Sequence, residues 1–175
     1  MRSLVATSVV ALLLIASIEA KGPTIRIEIR DIARGTVSKI TDLVVLRQFQ
    51  VWSGPGTYSG TPGQQSEGTE GFIVDWRSGP ITERPAELRR YELRFFVGPR
   101  QGMATPLNQP YEELAYVVFY EHDASTGRGY VYLPGRTDEN FGLNVGSIVR
   151  HGLEGHWFNA NDAWQAAFAQ AAARR

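Results

Sequence analysis

Apolar and polar positions alternate without a break from Thr24 to Arg30: Ile25, Ile27 and Ile29 point one way, Arg26, Glu28 and Arg30 the other. That period belongs to a half-exposed strand. Residues 31–35 turn the chain and 36–40 read as its return. Residues 88–97 repeat the pattern, with Tyr91, Leu93, Phe95 and Val97 inward and Arg90, Glu92 and Arg94 outward. The stretch 114–133 differs. Two runs of β-branched and aromatic residues flank a polar, glycine-bearing turn, which is a hairpin signal. Ala115, Val117 and Phe119 take one face and Tyr116, Val118 and Tyr120 the other, so the first strand is apolar on both sides. Such a strand belongs in the middle of a sheet with cover above and below.

Other elements follow from shorter signals. Residues 72–76 read as a strand and 80–85 as a connector. Residues 147–151 and 156–158 read as a hairpin around 152–155, the rival being a short helix capped by Asn144. Thr41 or Asp42 can cap a helix over 43–51, where Leu43, Leu46, Phe49 and Gln50 share a side. Asn159 or Asn161 can cap a C-terminal helix striped by Ala163, Trp164, Ala167, Phe168 and Ala171, with Asp162 at its start and Arg174 and Arg175 at its end, the signs the helix dipole favours. The expected fold is α+β, mostly β: a twisted antiparallel sheet or incomplete barrel of about six to eight short strands, a short central helix and a C-terminal helix packed on the sheet.

The N-terminus changes the cellular picture. Met1-Arg2-Ser3 precedes an apolar run of 15 residues, 4–18, and Ala20 supplies a small residue at a cut site. This describes a secretory signal peptide over 1–20, followed by one globular domain over 21–175. The rival, a retained anchor, is short of the roughly 20 residues a spanning helix needs. No second long apolar run follows, so no membrane span is expected after cleavage. The chain contains no cysteine, which excludes disulfides, thiolate metal sites and thiol nucleophiles. Lys plus Arg equals Asp plus Glu at 18 each, and a neutral chain has no long-range pull towards nucleic acid. The expected location is periplasmic or extracellular.

Trp52-Ser-Gly-Pro-Gly56, Gly71-Phe-Ile-Val-Asp-Trp76, Gly129-Tyr-Val-Tyr-Leu-Pro134 and Glu154-Gly-His-Trp-Phe158 together resemble small uncharacterised proteins exported by bacteria. The resemblance implies export and a single domain, and carries no activity.

Candidate chemistry is sparse. His151, Glu154 and His156 put two imidazoles and a carboxylate within six residues, and such ligands suit zinc or a similar cation. The spacing matches no standard zinc motif, and two polar residues beside a turn is the plainer account. His122, between Glu121 and Asp123, could add a ligand. Asp75 lies in an apolar strand beside Trp76, but the second carboxylate that a glycosidase needs is not identifiable. Ser53 lacks the Gly-x-Ser-x-Gly context because position 51 is Val, and Ser125 and Ser147 have no motif. The glycines of 54–63 lack both the Lys-Ser/Thr of a phosphate loop and a strand-then-helix context. The remaining feature is aromatic. Tyr116 and Tyr120 share one strand face, and Tyr130 and Tyr132 share a face of the next. In the right register these rows become neighbours, and with Trp52 they offer flat apolar surfaces with polar tips.

The leading expectation is a non-catalytic exported domain, binding a glycan or peptide through the tyrosine-bearing sheet and the loop 54–71, with no cofactor. The alternative is a metal-assisted hydrolase of the cell envelope using His151, Glu154 and His156 with a divalent metal. A structural envelope component is the third reading.

Overall fold

A computed structural model describes residues 22–57, 68–100, 111–148, 150 and 152–173. The candidate signal peptide, residues 58–67 of the glycine-rich loop, and His151 lie outside the described residues. In chain order the elements are β1 (Thr24–Asp31), β2 (Val37–Ile40), α1 (Leu43–Leu46), a 3-10 turn (Trp76–Ser78), β3 (Pro80–Ile81), β4 (Arg89–Val97), β5 (Glu113–His122), β6 (Gly129–Tyr132), α2 (Phe141–Ser147), β7 (Trp157–Asn159) and α3 (Asp162–Ala173). Seven strands form one antiparallel sheet in the order β2-β1-β4-β5-β6-β7-β3. The two ends do not meet, so the sheet is twisted and open rather than a closed barrel. No helix among the described residues is long and apolar enough to cross a membrane.

The hairpin β5–β6 sits inside the sheet, as its two-sided apolar pattern requires. On the inner face Ile27 and Ile29, Tyr91, Leu93 and Phe95, Tyr116, Val118 and Tyr120, Val131 and Phe158 are all buried. Helix α3 closes this face. Asn161 is its cap, accepting from the Trp164 N–H at 2.8 Å through Oδ1 while its Nδ2 donates to the Phe72 carbonyl at 2.9 Å. Trp164 meets Phe49 edge-on at 5.3 Å, and Phe168 lies 4.7 Å from Tyr120 and 4.9 Å from Tyr91.

Three local expectations are corrected. The helix expected over 43–51 ends at Leu46. Leu43 and Val44 are exposed while Phe49 and Val51 are buried, so the chain must leave the helix to drive the latter pair inward. Asp42 caps α1 through the Val44 N–H. Residues 72–76 are not a strand. Only Val74 bridges to Ala160, Phe72 adopts a positive φ of 62°, and Asp75 starts the 3-10 turn by accepting from the N–H groups of Arg77 and Ser78. Of the strand expected over 147–151, Ser147 ends α2 and Ile148 and Arg150 lie in no strand, residues 149 and 151 being outside the described residues; β7 pairs with β6 and β3. Asn144 lies inside α2 rather than capping it. The connector at 80–85 holds β3, a two-residue edge strand that opens on Pro80.

Candidate functional site

Register decides the fate of the four tyrosines. Tyr120 pairs with Val131, while Tyr130 pairs with Glu121 and Tyr132 with Phe119. Because side chains alternate along a strand, Tyr116 and Tyr120 lie on the inner face and Tyr130 and Tyr132 on the outer one. The two rows therefore do not become neighbours. Tyr116 and Tyr120 are sealed in the core, and burial pushes the Tyr120 phenol well above its ordinary value. Trp52 is half-buried and donates its indole N–H to the Gly22 carbonyl at 2.8 Å. It packs against the inner core, remote in role from the outer row.

The outer face keeps an aromatic row of its own. Phe119 stacks on Tyr132 at 6.5 Å, and Tyr132 lies 5.1 Å from Trp157, each ring half-buried. Glu121 reaches the same face, buried, between two guanidiniums: Arg84 pairs with Oε2, and Arg90 stands 3.4 Å from Oε1. Arg84 also lies 4.1 Å over the Trp157 ring, and Arg90 lies 5.1 Å over Phe119 and 5.7 Å over Trp157. Cation–π contact and the shared carboxylate hold both guanidiniums over the rings. The Tyr132 hydroxyl donates to Asp138 at 2.8 Å, and the same carboxylate oxygen accepts from the Gly135 N–H at 2.6 Å. Burial and that hydrogen bond raise the Tyr132 phenol above its ordinary value. The result is a preorganised surface of three rings, two cations and one buried anion. Sequence reading found Tyr132 but passed over Trp157, Phe119 and Arg84, since their convergence needs β3 and β7 beside β6.

Of the candidate metal set His151, Glu154 and His156, the last two are described. The Glu154 carboxylate accepts from the Arg150 N–H at 2.6 Å, and His156 is exposed with Nδ1 3.0 Å from the Glu154 carbonyl oxygen. Among the described residues no group of three His, Cys, Asp or Glu side chains could share a metal ion, and His151 lies outside them. Around His122 the neighbours diverge. Glu121 faces outward to Arg84 and Arg90. His122 turns inward against Phe168 at 5.0 Å, and Asp123 is held in its turn by Ser125 and Thr126, which bring its carboxyl down to about 2. Asp75 serves as a turn cap, and the Ser78 hydroxyl donates to it at 2.5 Å.

Sequence reading also missed Arg150. Its side chain is fully buried with no carboxylate paired to the guanidinium among the described residues. Nη2 donates to the carbonyls of Val51 at 2.6 Å and Ser53 at 2.9 Å, and Nη1 to that of Pro55 at 3.1 Å. Phe72, Trp76 and Tyr116 surround the charge at 5.0, 4.9 and 5.7 Å. Desolvation lowers its pKa, with Tyr116 and Glu154 opposing. This clamp fixes the base of the glycine-rich loop to the core. No signal in the sequence marks this arginine among the others.

No family model, curated protein or solved structure matches this chain.

Proposed function

We propose that the protein is an exported, non-catalytic binding domain whose contact surface is the outer face of the sheet at β5, β6 and β7. The observation that carries this reading is the half-exposed row Phe119, Tyr132 and Trp157, flanked by Arg84 and Arg90 over a buried Glu121. Half-exposed rings on a rigid sheet suit ligands that present one apolar face and several polar groups. A sugar chain meets that description. Its rings stack on Tyr132 and Trp157, and guanidinium donors not used by Glu121 take hydroxyl or carboxylate oxygens. Arrangement on strands favours little reorganisation on binding.

The test is a glycan array probed with the purified chain, followed by calorimetry on the best binder. Trp157→Ala and Tyr132→Phe should weaken binding, the first by at least tenfold. Tyr116→Phe, inside the core, should leave affinity unchanged. An array without binders, or a Trp157→Ala protein that binds as well as the wild type, removes this reading.

A further inference from the structure

Three ionised groups meet beside the aromatic row: Arg84, Arg90 and Glu121. Two guanidiniums share one carboxylate, so the trio keeps one positive charge. The sharing is unequal. Arg84 donates to Oε2 from Nη1, whereas Arg90 only brings Nε to 3.4 Å from Oε1. The Glu121 side chain is 7% exposed and that of Arg90 45%. The surplus charge therefore lies with Arg90, on the solvent side.

Arg90 is held in place from three directions. Strand pairing sets its backbone opposite Glu121. Its guanidinium carbon lies 5.1 Å from the centre of the Phe119 ring and 5.7 Å from that of Trp157. Those contacts remove water from part of the cation and cut its rotamer freedom before any ligand arrives. Its terminal donors are unused: among the described residues no acceptor bonds Nη1 or Nη2. The other carboxylates beside the row are occupied. Glu92, paired across the strands with Phe119, accepts from Arg94 Nε at 2.5 Å. Asp138 Oδ2 accepts from the Tyr132 hydroxyl and the Gly135 N–H, which puts a negative charge at that end of the row and favours an incoming anion at the Arg90 end. A fixed, half-exposed guanidinium with free terminal N–H groups suits a pair of anionic oxygens.

We infer that the sugar chain taken by this face is acidic, and that an oxyanion on it, a uronate carboxylate or a sulfate ester, is bound by Arg90. The inference rests on the glycan reading above and adds the charge of the ligand. The rings receive the sugar skeleton, and Arg90 is the specificity-determining residue that selects the anion. Glu121, buried beneath, positions Arg90.

The experiment is calorimetry of the purified chain with matched pairs of oligosaccharides: oligogalacturonate and its methyl ester, and chondroitin sulfate fragments and their desulfated form. The acidic member of at least one pair should bind at least tenfold tighter than its counterpart, and the pair that shows the preference tells carboxylate from sulfate. The preference should shrink as salt rises. Arg90→Gln should reduce it to less than threefold and keep the wild-type melting temperature, since Glu121 retains Arg84. Arg47→Gln, an exposed arginine at the end of α1, should leave it intact. Equal affinities within each pair, weakened alike by Trp157→Ala, overturn the inference and leave the glycan reading standing. So does binding of neither pair when neutral glycans bind on the array, whereas an array without any binder removes the glycan reading itself. An undiminished preference in folded Arg90→Gln overturns the role of Arg90. Polyglutamate bound as tightly as the acidic sugars overturns the inference in favour of bulk charge.

Discussion

The side-chain amide of Asn144 stands beside Val117 as a missing strand residue would. Its Oδ1 accepts from the Val117 N–H at 2.8 Å, and its Nδ2 donates to the Val117 carbonyl at 2.7 Å. The reason lies in the neighbouring strand. Phe119 pairs with Tyr132, so continuing the register would set Pro134 opposite Val117. Proline has no N–H to offer a ladder. The chain leaves at that point, and α2 returns to supply both partners from one side chain.

Asn144→Leu should therefore leave a buried N–H and a buried carbonyl unpaired on the central strand. The expected loss is on the order of 2–4 kcal/mol, since each orphaned group costs about 1–3 kcal/mol. Asn144→Asp keeps the acceptor but turns a carboxylate oxygen on the Val117 carbonyl, and should be as damaging. Chemical denaturation at neutral pH measures both. A Leu variant within about 0.5 kcal/mol of the wild type would show that water takes over the two bonds.

Arg150 is the least replaceable side chain by the same reasoning. Three carbonyls, of Val51, Ser53 and Pro55, point at one guanidinium. Lysine carries the charge but not the planar fork that reaches all three. Arg150→Lys should cost about 2 kcal/mol and Arg150→Met about 3 kcal/mol or more, each orphaned buried acceptor adding to the loss. Proteolysis should report the same event locally, with faster cutting near the loop that Arg150 anchors. Unchanged cutting in Arg150→Met would contradict the clamp.

His122 gives the fold a dependence on pH. Its ring lies 5.0 Å from Phe168, and its Nδ1 is 3.5 Å from the Tyr120 hydroxyl. Burial holds the imidazole below its ordinary value of 6.5, and Asp123 opposes the shift. Across the strand Arg89 is its neighbour, a further cation at that edge. Between the lowered value and 6.5 the unfolded chain binds a proton that the folded chain does not. Stability is then fully present above 6.5 and is lost as pH falls through that window. The carboxyls of Asp31, Glu112 and Asp123, all lowered, act only at more acidic pH. Melting curves from pH 7 to pH 5 should fall for the wild type and stay flatter for His122→Phe. Parallel curves for the two proteins would assign the effect elsewhere.

Gly129 is required by a close approach. A Cβ there would lie 2.1 Å from the Tyr120 hydroxyl oxygen. Tyr120 cannot yield, because Phe168 lies 4.7 Å away and Trp164 5.9 Å away. Gly129→Ala should cost about 1–3 kcal/mol, the usual range for overpacking a core. The Cβ would also lie 2.4 and 2.5 Å from the Tyr120 ring carbons Cε2 and Cζ, so removing the hydroxyl alone does not relieve it. Gly129→Ala combined with Tyr120→Leu, which removes the ring, should cost less than the two single losses added together, and simple additivity would point to the strand backbone instead. Gly142→Ala, where an added Cβ meets nothing within 4 Å, is the matched control.

The sequence by itself determined the strands of regular alternation, the central hairpin and the C-terminal helix. In each, the period of side-chain burial is a local property, two along a strand and 3.6 along a helix. Ile27 and Ile29, Leu93 and Phe95, and Trp164 and Phe168 are buried as their spacing requires. Only the tertiary structure decided the rest. Which face Tyr130 joins depends on a register between two strands, and one residue of slip would reverse it. The outer row needs Trp157 from β7 beside Tyr132 from β6, and Arg84 folded back from β3. Asn144 and Arg150 act on backbone groups 27 and 95 to 99 residues away. Polar side chains that satisfy distant backbone groups leave no periodic trace, because their partners are chosen by where the sheet ends and where a loop must be held.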